Sequence, residues 1–169
     1  MGKLHIDSVD LPGTRGRIGI CACPGGRTLY SGASLSEDLD SIRAWGASGI
    51  VTLIEDEEIH FLGITSIGDE CSRRDMWWLH MPIRDMCAPD TRFDARWRQE
   101  GSQLRGRLAA GENFVVHCWA GLGRAGTIAA RLLTEFGVPA EHAIARVRAA
   151  RPGAIQSLQQ EIYLTRQNV

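Results

Sequence analysis

Short, nearly continuous apolar runs alternate along the chain with longer stretches of helical character. Arg17-Ile18-Gly19-Ile20-Cys21 is the first run, ended by Pro24-Gly25-Gly26. Ile50-Val51-Thr52-Leu53-Ile54 is continuous and β-branched, the pattern of a strand covered on both faces. Met76-Trp77-Trp78-Leu79-His80, stopped by Pro82, and Phe114-Val115-Val116-His117 complete four predicted strands. A helix is predicted from a Ser36 cap, with Glu37 and Asp38 in its first turn, to Trp45, and Gly46 stops it. The acidic run Glu55-Asp56-Glu57-Glu58 opens a short helix, where negative charge suits the N-terminus. Phe93 to Ala110 reads as a long helix with Leu104 and Leu108 on one face. Three more helices are predicted over about 124–136, 140–150 and 156–166, from their caps and stops. Strands alternating with helices predict an α/β single domain. Its central sheet has four to five mostly parallel strands, with helices on both faces. Residues 1–16, polar and glycine-containing, read as an extended lead-in to a domain over 17–169.

A chain of 169 residues is long enough for one sizeable core. Hydrophobic content of 44% and charged content of 23% are ordinary for a globular protein. A formal net charge of −1 gives no basis for general attraction to nucleic acid or membrane. No apolar run approaches a membrane span. Met1-Gly2-Lys3-Leu4-His5-Ile6 lacks a signal-peptide core, and Ile6 breaks a myristoylation match. A cytoplasmic monomer is the expectation. Cysteines at 21, 23, 71, 87 and 118 are odd in number, which suggests reduced thiols and no disulfide framework. Cys21-Ala22-Cys23 has no second Cys/His pair at ligand spacing, so no metal site is expected.

The chemistry concentrates in His117-Cys118-Trp119-Ala120-Gly121-Leu122-Gly123-Arg124, at a predicted strand-to-helix junction. A ring of residues after a strand can turn its N–H groups inward as a nest for an anion. Glycines at 121 and 123 make such turns accessible. The following helix adds unpaired N–H groups and the positive end of its dipole. Arg124 supplies a fork that grips two phosphate oxygens. A cysteine in this field is expected to ionise and act as a nucleophile. His117 would steady it through the local backbone. The expected reaction is phosphate-ester hydrolysis through a phosphocysteine.

That reaction needs an acid for the leaving oxygen, which then serves as base for the attacking water. The loop Met81-Pro82-Ile83-Arg84-Asp85-Met86-Cys87-Ala88-Pro89-Asp90 follows another strand end. Asp85 is the first choice and Asp90 the reserve, although Asp90 also suits a helix cap. Gln156 and Gln160, four apart at the start of the last predicted helix, share one face and could place the water. Arg146, Arg148 and Arg151 form either a basic patch near the mouth or a solvated face. Trp119 either flanks the entrance or folds into the core. A reversible disulfide between Cys87 and Cys118 is a further expectation, from the reactivity of such a thiolate.

Together these residues resemble the cysteine-based protein tyrosine phosphatase superfamily, whose signature is His-Cys, five residues, then Arg. The chain is most similar to the dual-specificity branch, and within it to cyclin-dependent-kinase-associated phosphatases. Three blocks carry the closer likeness: 17–25, the loop 80–85 with Pro89-Asp90, and 153–164. The resemblance implies Cys118 as nucleophile, Arg124 as phosphate clamp and Asp85 as acid/base. It implies backbone amides from Trp119, Ala120, Gly121, Leu122, Gly123 and Arg124 on the phosphate, and Gln156 and Gln160 as water-positioning glutamines. It implies no metal and no organic cofactor. Family members often carry a serine or threonine directly after the arginine, to ease breakdown of the phosphocysteine. Here that residue is Ala125, and Thr127 matches the family's second hydroxyl position.

The expected partner is a phosphorylated protein or peptide. No segment before the first strand deepens the pocket, so phosphoserine and phosphothreonine fit as well as phosphotyrosine. Trp119, Ala120, Leu122 and Gly123 bring no cation, which disfavours a polyphosphorylated lipid. The alternatives are a phosphatase of a small-molecule or lipid phosphate, and a weakly catalytic module that binds phosphoresidues.

Overall fold

The computed structural model describes residues 3–26 and 34–166; Met1 and Gly2, part of the stretch read for targeting, lie outside them. Among the described residues the elements run β1 (Asp7–Asp10), β2 (Arg17–Cys21), α1 (Leu35–Trp45), β3 (Ala47–Thr52), α2 (Asp56–Leu62), α3 (Ile67–Ser72), β4 (Trp77–His80), α4 (Thr91–Ala109), β5 (Asn113–His117), α5 (Gly123–Glu135), α6 (Ala140–Ala150) and α7 (Leu158–Arg166). The sheet order is β1-β2-β5-β3-β4. Only β1 runs antiparallel to its neighbour. The mostly parallel α/β architecture is therefore as the sequence predicted. Val115 and Val116, adjacent in β5, are both fully buried. Adjacent strand residues point to opposite faces, so both faces of the sheet are covered.

The parallel register brings the carboxyl ends of four strands level. Cys21 pairs with His117, His117 with Thr52, and Thr52 with His80. The residues that follow continue the backbone ladder: Leu53 N–H donates to His117 O at 3.1 Å and Met81 N–H to Thr52 O at 2.9 Å. The two chemistry-bearing loops, after β5 and after β4, thus leave the sheet from one edge.

Several elements differ from expectation. Residues 7–10, read as part of an extended lead-in, form β1 on the same sheet. The cap of α1 is Ser34, whose hydroxyl accepts from Glu37 N–H while Glu37 accepts from Ser34 N–H, a capping box. Ser36 has no glutamate three residues on; its hydroxyl accepts from Arg74 instead. The six-residue α3 is too short to impose an apolar period. The last helix begins at Leu158, so Gln156 precedes it.

Candidate active site

The chain leaves β5 at His117, turns through Cys118–Leu122 and enters α5 at Gly123. Cys118 is 3% exposed. Gly121 holds φ +71°, and a Cβ there would stand 2.3 Å from Cys21 O, so glycine is required on both counts. No side chain caps α5, which leaves its first N–H groups for an anion. Neighbouring backbone pins the turn: Cys23 N–H donates to Trp119 O at 3.0 Å and Ile155 N–H to Leu122 O at 3.1 Å.

His117 is fully buried, and burial pushes its pKa down to about 4. Its two nitrogens sit in a directed chain. Trp78 Nε1–H donates to Thr52 Oγ1 at 2.8 Å, and Thr52 Oγ1 lies 2.8 Å from His117 Nε2. His117 Nδ1 lies 3.0 Å from Cys118 O. A carbonyl only accepts, so Nδ1 carries the proton; Nε2 of the neutral ring then accepts from the Thr52 hydroxyl. The neutral tautomer satisfies every partner, and the Cys118 carbonyl is held through the ring.

Arg124 is nearly sealed, yet its guanidinium reaches both α2 and the loop after β4. Nη1 and Nη2 make a bidentate pair with Glu58 at 2.7 and 2.8 Å, and Nη1 also donates to Ile83 O at 3.0 Å. Burial works to raise the Glu58 pKa, but the hydrogen bonds from Arg124 and Glu55 N–H, with the arginine charge, hold it below the usual range. Asp85 Oδ1 stands 3.2 Å from Arg124 Nη2 and accepts Met86 N–H at 3.0 Å. Its side chain is 69% exposed, at the tip of the acid loop. Arg124 Nε is buried with no partner. A buried, charged donor without a partner calls for an explanation, and an anion in the cleft would supply its partner.

Gln156 and Gln160 meet at the same place by a different route from a shared helix face. A Cβ on Gly123 would stand 2.8 Å from Gln156 Oε1 and 3.1 Å from Gln160 Nε2. Gln160 is buried and occupied: Oε1 accepts Gln156 N–H and Ser157 N–H, and Nε2 donates to Cys87 O. Gln156 lines the cleft. Thr127 Oγ1 donates to Gly123 O at 2.6 Å, so its hydroxyl serves the helix backbone; Ala125, fully buried, offers none. Trp119 packs on the core and also lines the cleft, with its ring 5.9 Å from the exposed Phe61.

The cleft, about 400 Å³, is lined by Glu58, Asp85, Met86, Cys118, Trp119, Ala120, Gly123, Arg124 and Gln156. Asp90 is not among them. Its Oδ1 caps α4 by accepting Phe93 N–H at 2.9 Å, and it lines a separate cleft. Of the three arginines, Arg146 is exposed, Arg148 is tied down but still 40% exposed, and Arg151 is largely covered, so they form no patch at the mouth. Arg148 donates to Ala154 O, Ile155 O and Glu161, and Arg151 to the cysteine loop and Asp7. Cys87 and Cys118 are free thiols. Burial holds the neighbouring Cys23 thiol protonated, with its pKa up to about 12. Among the described residues, no group of three His, Cys, Asp or Glu side chains is placed to hold a metal.

Sequence reasoning missed Glu58, Thr52 and Arg151. Each acts through a contact across a large sequence separation: 66 residues for Glu58–Arg124, 65 for Thr52–His117 and 30 for Arg151–Gly121. The one available hint was Arg124 itself, since a guanidinium buried at a helix start needs a carboxylate.

Residues 24–164 match the family described as "Swiss Army Knife protein, DSP-PTPase phosphatase domain". The chain belongs to this family. Human cyclin-dependent kinase inhibitor 3 is 27% identical over 150 residues, covering 87% of this chain and 69% of that protein. Human protein tyrosine phosphatase type IVA 3 is 30% identical over 129 residues, covering 75% and 68%. The crystal structure of a kinase associated phosphatase, its catalytic-site cysteine substituted by serine, superposes with a TM-score of 0.89 at 25% identity, covering 99% of this chain and 96% of that one. The resemblance to the dual-specificity branch and its kinase-associated members is thereby established, and the chain carries a phosphatase domain of that type.

Proposed function

We propose that the chain hydrolyses phosphate monoesters of phosphoproteins, taking phosphotyrosine together with phosphoserine and phosphothreonine, through a phosphocysteine on Cys118. The observation that carries this reading is the buried, unpartnered Nε of Arg124 in the cleft that Cys118 lines. In the first step the Cys118 thiolate attacks phosphorus and the ester P–O bond breaks. Asp85 in its acid form gives its proton to the leaving oxygen. In the second, water attacks phosphorus, Asp85 as carboxylate takes its proton, and the S–P bond breaks to free inorganic phosphate and the thiolate. The N–H groups from Trp119 to Arg124 hold the equatorial oxygens. Arg124 takes two of them while Glu58 fixes its far edge, and Gln156 places the water.

The cleft lining supports a singly phosphorylated substrate. Among the described lining residues the one cation, Arg124, faces two carboxylates, Glu58 and Asp85, which suits poorly a headgroup with several phosphates. Among the described residues no helix is long and apolar enough to cross a membrane. A second reading, a weakly catalytic module that holds phosphoresidues, draws on Ala125 and on the Thr127 hydroxyl spent on Gly123 O. Hydrolysis of a phosphoaryl ester without added metal separates them. We expect turnover by wild type, none by Cys118→Ser and little by Asp85→Ala. A wild type that binds phosphate but turns nothing over would establish the second reading.

A further inference from the structure

We propose that Arg151, at the end of α6, is a positioning residue for the phosphate cradle and that Asp7 on β1 fixes it. The inference rests on the cradle proposed above. It starts from the outer side of the cysteine loop. In a nest the N–H groups face the anion, so the carbonyls face away and need partners of their own. For the two middle carbonyls, of Ala120 and Gly121, one guanidinium supplies them. Arg151 Nε donates to Gly121 O at 2.6 Å and Nη2 to Ala120 O at 3.0 Å. The remaining nitrogen, Nη1, pairs with Asp7 Oδ2 at 2.8 Å. Both side chains are largely covered, 14% and 19% exposed.

The consequence follows from peptide geometry. Ala120 C=O and Gly121 N–H belong to one planar unit, as do Gly121 C=O and Leu122 N–H. In a trans peptide the two groups point in opposite directions, and the described residues contain no cis peptide. Drawing both carbonyls toward Arg151 therefore turns the Gly121 and Leu122 N–H groups the other way, toward the anion. A charged donor on each carbonyl also polarises its peptide and strengthens the N–H on the far side. Arg151 touches no substrate; it acts through two peptide planes. The arrangement makes the first strand part of the site, because Asp7 is what holds the third corner of the fork. Lysine, with a point charge, cannot span two carbonyls and a carboxylate in one plane.

The test uses the full chain with orthovanadate and inorganic phosphate as competitive ligands, alongside melting temperature. Vanadate mimics the five-coordinate state whose charge the aligned amides meet, so it reports alignment more sharply than phosphate does. Arg151→Lys is expected to weaken vanadate by about 10–100-fold, the range for supporting partners one step from a ligand, and phosphate by less. Asp7→Asn should act in the same direction with a smaller loss. Arg146→Ala, which removes an equal charge from an exposed position on α6, should change neither. An Arg151→Lys chain that binds both anions as wild type does overturns the inference, as does an equal loss in Arg146→Ala. If Arg151→Lys lowers the melting temperature below the assay range, Asp7→Asn decides, and wild-type affinity there overturns it. Wild-type vanadate binding without turnover of any phosphate ester strikes the proposed function and leaves this inference standing. Turnover with an unaffected Arg151→Lys does the reverse, and a wild type that binds neither anion overturns both.

Discussion

The cysteine loop and the acid loop leave the same edge of one sheet and are built in opposite ways. The cysteine loop is buried at Cys118 and Gly121, exposed at Ala120, and over-determined: His117, Cys23, Ile155 and Arg151 hold different backbone carbonyls of it. The acid loop is exposed from Arg84 to Met86, and one backbone turn bond, Cys87 N–H to Arg84 O, spans that tip, its other ties being side-chain contacts from Asp85, Arg124 and Gln160. Met86 there takes φ +61°, a strained position for a side chain without special reason to be in it. A cradle has to be rigid, because misplaced donors lose a charge that moves by less than a bond length. An acid has to reach a leaving oxygen, step back and admit water, so it belongs on a segment with few ties. The two loops touch through Arg124, whose Nη2 lies 3.2 Å from Asp85. In the mechanism proposed above, phosphate would claim that arginine and release Asp85 toward the leaving group.

This contrast is broken most forcefully at its shared residue. Arg124→Lys should lower kcat/KM by about 10³-fold or more, as for loss of a transition-state donor, and should raise the phosphate Ki as well. A loss confined to kcat would show that the guanidinium does not hold the ground-state phosphate. Asp85→Asn should separate the loops cleanly. It should cost about 10²–10⁴-fold on alkyl phosphates with poor leaving groups. In kcat/KM, which ends at formation of the phosphocysteine, it should cost much less on 4-nitrophenyl phosphate, although overall turnover stays slow because hydrolysis lacks its base; vanadate affinity should stay near wild type. Equal losses on both esters would remove Asp85 from the role of acid. Glu58→Gln should destabilise by about 1–3 kcal/mol, because it strips the charge from a bidentate pair whose arginine is buried. It should lower kcat/KM less than Arg124→Lys does, read by denaturant melts beside kinetics.

The sheet edge itself gives a pH test. His117 falls from its ordinary 6.5 to about 4 on folding, because burial disfavours the charged ring. Between those values the unfolded chain binds a proton that the fold refuses. This part of the stability is therefore full above pH 6.5 and is lost as pH drops toward 4. It amounts to about 3 kcal/mol in all, at up to about 1.4 kcal/mol per pH unit. His117→Gln should flatten that slope in denaturant melts, and an unchanged slope would place the acid sensitivity elsewhere. The smallest expected effect is a gain. Ala125→Ser should speed breakdown of the phosphocysteine in single-turnover measurements, since Thr127 does not offer its hydroxyl there.

What could be read in the sequence follows the same division. The cysteine loop was legible because its parts are local: strand, glycine turn and helix lie within a few residues of Cys118, and local chemistry dictates each. The four predicted strands and all six predicted helices survive for the same reason, through apolar runs, caps and stops. Glu58 was read as favourable charge at a helix start, and it does sit in the first turn of α2; nothing in that run announces that it also clamps Arg124. Arg151 looked like one of three similar arginines, and only the fold sets its fork against the loop's carbonyls. Gln156 and Gln160 were paired by a helical period that does not apply, yet the absence of a side chain at Gly123 lets both reach one point. β1 was hidden because its four residues, Asp-Ser-Val-Asp, bury only Val9 and carry no strand-like run.

Rapid acid quench of wild type during turnover of 4-nitrophenyl phosphate, followed by peptide mass mapping, tests the central claim most directly. The account predicts one added phosphoryl group on the peptide that contains Cys118. It should be absent from an inactive Cys118→Ser and should accumulate in Asp85→Ala, where hydrolysis of the intermediate lacks its base. Phosphoryl on any other residue, or continued turnover by Cys118→Ser, would contradict it.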